Sequence, residues 1–314
     1  GVGDNATLDG QLNVDSQTNV IIRNFNIHGG TDGIQVTTDS YHIWIDHCSL
    51  WDCDDGLLDL KRRSDCYLIT WTHFFDHNKC NLLNSGSRNY DDRGFINGTL
   101  HHNFYDGTVQ RNPRAGFGMI HIFNDYNYAN SQYGIGFHTE SKVFAEKNYF
   151  HDMENSINQM YNAPGYDPEE LGDCLAEDNF FENASGDEST GIGFDPNEYY
   201  VYDFVLDEAQ AVKEIVKAGA GTGAEWGDIG LIPIPGQGLV GVESSVLSWK
   251  TGTITPTSYI VYFGTTTDPP KVHEGSETSY DAGALTSGTR YYWAVDQVAA
   301  EGTVEGKLWT FVAK

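Results

Sequence analysis

Seven short segments ending in an aromatic or aliphatic residue recur between Arg23 and Phe181 at nearly constant spacing, and a repeat of that length restricts a chain to stacked, quasi-one-dimensional architectures. RNFNI (23–27), DHCSL (46–50), TWTHF (70–74), HHNFY (101–105), NDYNY (124–128), EKNYF (146–150) and EDNFF (177–181) end at 27, 50, 74, 105, 128, 150 and 181, so the steps are 23, 24, 31, 23, 22 and 31. The longer stretches NVIIRNFNI, HIWIDHCSL, CYLITWTHF, GFINGTLHHNFY, GMIHIFNDYNY, KVFAEKNYF and CLAEDNFF alternate apolar and polar residues, as strands with one face in a core do. The commoner, shorter step fits one turn of a parallel β-helix. Leucine-rich repeats share the period, but the L-x-x-L-x-L pattern is missing. Phe74, Tyr105, Tyr128, Phe150 and Phe181 are expected to stack inside the solenoid. The two longer steps hold insertions, around Ser85–Gly94 and Tyr161–Gly172, of the kind that builds binding grooves on one face.

The flanks read differently. Residues 1–18 look like part of an earlier turn of the same repeat, and no cap hides the end of the core, so the expectation is a β-helix whose N-terminal part is truncated. Leu206–Ala218 has Leu206, Ala209, Val212 and Val216 on one helical face and is expected to pack against the solenoid. Residues 225–238 read as a linker. From 239 to 314, SSVLSWK, SYIVYFG, RYYWAVDQV and KLWTFVA are strands separated by turn residues, and with Trp249, Tyr259, Tyr262, Leu285, Tyr291, Trp293 and Trp309 they resemble a fibronectin type III β-sandwich. The expected division is therefore 1–224 for the β-helix, 225–238 for the linker and 239–314 for the sandwich.

Charge narrows the function. A net charge of −27 repels nucleic acid and suits a soluble, secreted or salt-tolerant protein, and no apolar run is long enough to span a membrane. Yet Lys61, Arg62, Arg63, Lys79, Arg88, Arg93, Arg111 and Arg114, eight of the eighteen basic residues, are gathered in one part of the chain, so an anionic ligand finds its dense positive region there. The five cysteines, Cys48, Cys53, Cys66, Cys80 and Cys174, lack zinc spacing and read as small buried residues or as one or two disulfides. Counted from the preceding segment end, Asp32, Asp55 and Lys79 fall at plus five, Arg111 at plus six and Asp59 at plus nine. Residues at equal offsets stack on successive turns, so this set is expected to line one face. Asp32, Asp55 and Asp59 are hard oxygen donors suited to calcium. The plainer reading is that such aspartates only cap turns. Lys79 and Arg111 beside them favour a site for carboxylate groups, held directly by cations and indirectly through a metal, as a polyuronic acid would need.

TDGIQV (31–36), WIDHCSL (44–50), DGLLDLKRRSD (55–65), HNKCNLL (77–83) and RNPRAGFGMIHIFNDY (111–126) resemble, in the same order, the pectate lyases of polysaccharide lyase family one. The resemblance covers most of 1–224. It implies a right-handed parallel β-helix, Asp32, Asp55 and Asp59 as calcium ligands, Lys79 as a contact to the substrate carboxylate and Arg111 as catalytic base, acting on polygalacturonate by β-elimination to 4,5-unsaturated oligogalacturonides. Two positions depart from the family pattern. Gly116 stands where a second substrate arginine is expected, with Arg114 as a partial replacement whose different offset is expected to point it elsewhere, and Gly30 stands where some members carry a further acidic ligand. Asp46 and His47 read as structural, and His121 is open between structure and chemistry. Alternatives are a noncatalytic polyuronate-binding β-helix, a pectin lyase, against which the three aspartates argue, and a polygalacturonase, which offers no role for Lys79 and Arg111.

Overall fold

Each recurrent segment folds into two strands separated by a sharp bend, and the bend residue takes a left-handed backbone: Asn24, His47, Trp71, His102, Asn124, Lys147 and Asp178 have φ between 45° and 58°. In this computed structural model, residues 6–160, 171–196, 204–223, 246–249, 256–286, 289–300, 302–304, 306 and 309–312 are described. Strands before the bend, Thr18–Arg23, Tyr41–Asp46, Asp65–Thr70, Gly98–His101, Met119–Phe123, Lys142–Glu146 and Asp173–Glu177, stack into a seven-stranded parallel sheet. Strands after it, among them Ser49–Leu50, His73–Phe75, Phe104–Asp106, Tyr126–Tyr128, Tyr149–Met153 and Phe180–Ala184, stack on a second face. A third face carries Gly56–Leu60, Lys79–Leu83, Arg114–Gly116, Ile135–His138 and Ile157–Gln159; we call it the site sheet. The long strand Asn26–Thr37 runs unbroken through the second and third faces and joins them into one thirteen-stranded sheet. The result is a right-handed parallel β-helix of about seven turns.

The bend explains the sequence pattern. One residue after it, Asn103, Asp125, Asn148 and Asn179 form a ladder through the turns: Asn103 N donates to Asp125 Oδ1 at 2.7 Å, Asp125 N to Asn148 Oδ1 at 2.9 Å, and Asn148 N to Asn179 Oδ1 at 2.9 Å. These side chains take up backbone donors that no sheet reaches, which is why a corner of the core can be polar. Two residues further on, three past each bend, comes the inward position: Ile27, Leu50, Phe74, Tyr105 and Phe150 are fully buried there.

Tyr128 corrects the expected stack. Tyr105 pairs with Asn127 and Asn127 with Phe150, so buried Asn127 holds the inward place while Tyr128 turns outward, its ring 5.1 Å from that of His151. The bend at Asn124 sets the phase, and three residues on is Asn127 whatever the aromatic preference of its neighbour.

The helix is Ala209–Gly219, three residues shorter at its start than its apolar spacing suggested. His102 Nε2 donates to Asp207 Oδ2 at 2.9 Å, and Asp207 N and O each bond the Asn124 side chain at 2.9 Å. The chain is thus pinned at Asp207, and Leu206 lies before the helix. Val212 and Val216 then bury against Phe104, Tyr126 and Tyr149 of the second face, as expected. Among the described residues no helix is long and apolar enough to cross a membrane. All five cysteines are free, with Cys48, Cys66, Cys80 and Cys174 buried, so the disulfide alternative falls and the small-buried-residue reading holds. The insertion at 85–94 folds around Asp92, which accepts from Ser85 N at 2.7 Å and Arg63 N at 2.9 Å. The second insertion lies almost wholly outside the described residues.

Contacts divide the chain into Gly1–Asp195 with Val205–Glu225, and Pro196–Phe204 with Trp226–Lys314. The expected linker, 225–238, is outside the described residues. The second unit has antiparallel sheets: Val246–Ser248 with Ser279–Asp281, and Ser258–Gly264 between Lys271–Gly275 and Arg290–Ala299, the last also pairing Gly302–Val304 and Trp309–Val312. Leu247, Trp249, Tyr259, Val261, Tyr291, Trp293 and Val295 form its core. Tyr262, expected with them, is half-buried with its hydroxyl on Asp296 Oδ2 at 3.0 Å. The Trp309 side chain is outside the described residues.

Candidate active site

The site assembles at the start of the site sheet, and its register refines the offset argument. Lys79 pairs with Gly56 on one side and bridges Gln110 on the other, so Asp55 and Arg111 sit one residue to either side of that ladder instead of on it. On the outward face, Gln35 pairs with Asp59, Asp59 with Leu82 and Leu82 with Arg114, which puts Asp59 and Arg114 in one column. Arg114 therefore shares the face with the aspartates despite its different offset.

Two of the three aspartates come together. Asp32, 3% exposed, accepts from Gly56 N at 3.0 Å and from Gln35 Nε2 at 2.6 Å. Asp59, 1% exposed, receives Lys61 Nζ at 2.7 Å, and the same ammonium stands 3.4 Å from Asp32 Oδ2. Asp55 is turned to Lys79, whose Nζ lies 2.5 Å from Asp55 Oδ1. Burial pushes the Asp59 carboxyl up, with Lys61 opposing and Asp32 adding to the rise. Hydrogen bonding to Lys79 holds Asp55 below the ordinary carboxylate range. Burial alone would lower Lys61, but Asp59 and Asp32 keep it above its usual value.

Among the described residues no three acidic, His or Cys side chains converge as a finished metal centre. The donor chemistry nonetheless fits a hard cation. Asp59 Oδ1 is buried without a hydrogen-bond donor. Asp59 and Asp32 also flank Gly56 so closely that a Cβ there would stand 2.5 Å from Asp59 Oδ1 and 3.2 Å from Asp32 Oδ1. Asp55, next to Gly56 in the chain, could add its carboxylate by turning from Lys79.

Arg111 follows on the next turn, with a left-handed backbone at φ 62° and with Nε and Nη1 buried and lacking hydrogen-bond partners. A guanidinium so placed has donors to offer an anion. Its charge also favours ionised Asp55 and Asp59. Burial pushes Arg114 down, and neighbouring Arg111 adds to this.

The two departures from the family pattern have steric causes. At Gly116 a Cβ would meet Asn84 Nδ2 at 2.3 Å and His138 Cε1 at 2.7 Å, because Asn84 Nδ2 donates to His138 Nε2 across that position at 2.7 Å. Burial, helped by Arg114, drives His138 down to about 3, so the imidazole is neutral and can accept. At Gly30 a Cβ would stand 2.8 Å from Gly10 C and 2.9 Å from Gln11 N, the backbone of the first strand, Thr7–Asp15.

Lys61, Asn84 and His138 are the residues sequence reasoning missed. Lys61 follows Asp59 by two, the spacing that puts both side chains on one face of a strand. Asn84 and His138 are far apart in the chain and no local pattern joins them. Asp46 accepts from Thr70 Oγ1 at 2.6 Å and stands 2.6 Å from Arg23 Nε and 2.8 Å from His47 Nδ1, on and beside the seven-stranded sheet, away from the site sheet. His121 there bonds Glu146 at 2.8 Å and stacks on Phe144, which makes it structural too.

Residues 1–225 match the family model described as pectate lyase. The chain is 31% identical over 267 residues to a pectate trisaccharide-lyase of Thermotoga maritima, covering 71% of this chain and 70% of that protein. To the pectate trisaccharide-lyase of Bacillus licheniformis it is 32% identical over 217 residues, covering 65% and 60%. Among solved structures, a pectate lyase of Bacillus sp. N165 in complex with trigalacturonate aligns with TM-score 0.58 at 26% identity, over 65% of this chain and 68% of that one. The major cedar pollen allergen aligns with TM-score 0.60 at 23% identity, over 71% and 73%, a likeness of fold.

Proposed function

The chain belongs to the pectate lyase family of enzymes, and from that membership we propose that it cleaves polygalacturonate by calcium-dependent β-elimination, releasing 4,5-unsaturated oligogalacturonides. The observation that carries the reading is Arg111: a half-buried arginine whose Nε and Nη1 are buried without hydrogen-bond partners, next to the Asp32–Asp59–Lys61 cluster and the Asp55–Lys79 pair.

In this reading Asp32, Asp55 and Asp59 hold calcium, which when bound polarises the uronate carboxylate as a Lewis acid. Lys79 contacts that carboxylate and draws charge from it, making the hydrogen at C5 more acidic. Arg111 takes the C5 proton. The electron pair left at C5 forms the C4–C5 double bond as the C4–O bond breaks, and the leaving sugar oxygen gains a proton from water. Arg114, in the column of Asp59, is the second cation facing the polymer; Gly116 contributes none. A guanidinium gives up its proton only at high pH, so the rate should climb into the alkaline range.

A polymer too large to enter a cell is met outside it, so the proposal includes secretion. The second unit is proposed as a fibronectin type III module, supported by the Tyr291 hydroxyl, which accepts from Thr286 N at 3.0 Å as the corner tyrosine of such sandwiches bonds the backbone just upstream.

Initial rates on polygalacturonate and on highly methylated pectin, each with calcium and with chelator, test the proposal. Activity on the unmethylated polymer that chelator abolishes is expected. Full activity in chelator, or a preference for methylated pectin, would overturn it.

A further inference from the structure

Each carboxylate assigned to calcium is already ion-paired with a lysine, and the two lysines share the work unequally. Lys61 touches two of them, Asp59 at 2.7 Å and Asp32 at 3.4 Å, while Lys79 touches Asp55 alone at 2.5 Å. Lys61 is also the deeper of the two, its side chain 23% exposed against 33% for Lys79.

The backbone of Lys61 is fixed on both sides. Its N–H donates to Val36 O at 2.9 Å, and its carbonyl accepts from Ser64 N at 3.2 Å and Ser64 Oγ at 2.6 Å. Next along, Arg63 is tied to Asp39 by two bonds of 2.6 Å. Only the Lys61 side chain is free to move, so its ammonium remains tethered within reach of Asp32 and Asp59 at high effective concentration.

We propose that Lys61 is a built-in competitor for the calcium site: its ammonium neutralises Asp32 and Asp59 until a divalent cation displaces it, and it thereby sets the calcium affinity. The inference rests on the calcium reading above. It follows from charge. Asp32 and Asp59 are buried side by side, and two carboxylates so close repel unless a cation lies between them. Lys61 supplies that cation from the chain itself. A divalent ion entering between the same oxygens must push the ammonium toward solvent, and the lost ion pairs are subtracted from the binding free energy. Lys79 does the same for Asp55 more weakly, and its release turns its ammonium toward the substrate, so that metal uptake readies the substrate contact.

The opposite role is equally concrete. If Lys61 stayed on Asp59 as an orienting partner while calcium was bound, removing it would loosen the metal.

Isothermal titration of the intact chain with calcium, without substrate, separates the two. K61M should bind calcium at least about tenfold more tightly than wild type, since a partly buried ion pair no longer has to be broken. K79M should gain a smaller factor at its more exposed pair, a second reading should K61M prove insoluble. The melting temperature of K61M in chelator should fall below that of wild type and recover more on adding calcium, because the unpaired carboxylates then regain a cation. Calcium heat in wild type with equal or weaker binding in K61M and K79M would overturn the role given to Lys61. Absence of calcium heat from wild type and both variants would instead sink the calcium reading beneath it.

Discussion

Gly116 offers the sharpest test of how this site is built, because a methyl group there has nowhere to go. In Gly116→Ala the new Cβ falls 2.3 Å from Asn84 Nδ2 and 2.7 Å from His138 Cε1, and both neighbours are fully buried. Overpacking of a well-packed interior costs about 1–3 kcal/mol. Separating Asn84 from His138 adds about 1 kcal/mol for the lost hydrogen bond. Together these come to about 2–4 kcal/mol, and for a unit of this size each kcal/mol lowers the melting temperature by about 2–4 °C. The variant should therefore melt roughly 4–16 °C below wild type by calorimetry or circular dichroism. Gly116→Arg, which restores the family's second substrate arginine, should fare worse, since it adds a long cation beside Arg114 in the same filled space. Asn84→Ala removes the nearer obstacle, so the Asn84→Ala, Gly116→Ala double variant should be more stable than the sum of the single losses. A Gly116→Ala protein with wild-type melting, or a well-folded Gly116→Arg protein with a lower KM for polygalacturonate, would refute the steric account.

Acid should destabilise the fold through the imidazoles of buried His138 and half-buried His42. His138 is driven down to about 3 and His42 to about 4, in both cases chiefly by burial, from 6.5. Each folded-state value lies below the unfolded one, so the unfolded chain binds the proton first; the stability is complete above pH 6.5 and is lost as pH falls toward the folded values. Between those limits each such group contributes a slope of about 1.4 kcal/mol per pH unit. Urea denaturation from pH 7 to 4.5 should show the decline, and His138→Gln should flatten it; equal slopes in the two proteins would remove His138 from the explanation. Asn148→Ala, which strands Asp125 N and Ile122 O inside the polar ladder, should cost about 2–3 kcal/mol, and a loss below ~0.5 kcal/mol would show that the ladder is ornamental.

The period of the segment ends was enough for the β-helix, because a strand, a bend and a second strand must recur for the aromatic positions to recur. It does not place Tyr128, because the bend at Asn124 and not the aromatic side chain sets the phase. The carboxylates and cations of the site were legible from their offsets, since equal steps along a solenoid become neighbours in space. Which partner each one takes was not legible: Asp55 turns to Lys79 while Asp32 and Asp59 share Lys61. In the sequence Lys61 reads only as part of the dense positive region, although its place two residues after Asp59 carried the signal for a shared face with that carboxylate. The filled space at Gly116 joins Asn84 to His138 across two turns, which no local pattern reveals. In the second unit, Lys271–Gly275 and Ser279–Asp281 escaped because short, charged edge strands lack clean alternation. The helix start was fixed by the tertiary bonds of Asp207, not by helical spacing.

The β-elimination turns on Arg111, proposed to draw the proton from C5. Ultraviolet absorbance of the unsaturated product, followed at alkaline pH on polygalacturonate with saturating calcium, tests it directly in wild type and Arg111→Ala. Wild type should give a steady rise and Arg111→Ala a loss of at least about a thousandfold in kcat, with its melting temperature unchanged. An Arg111→Ala enzyme producing the absorbance at near wild-type rate, or a wild type that shortens the polymer with no absorbance change, would contradict it.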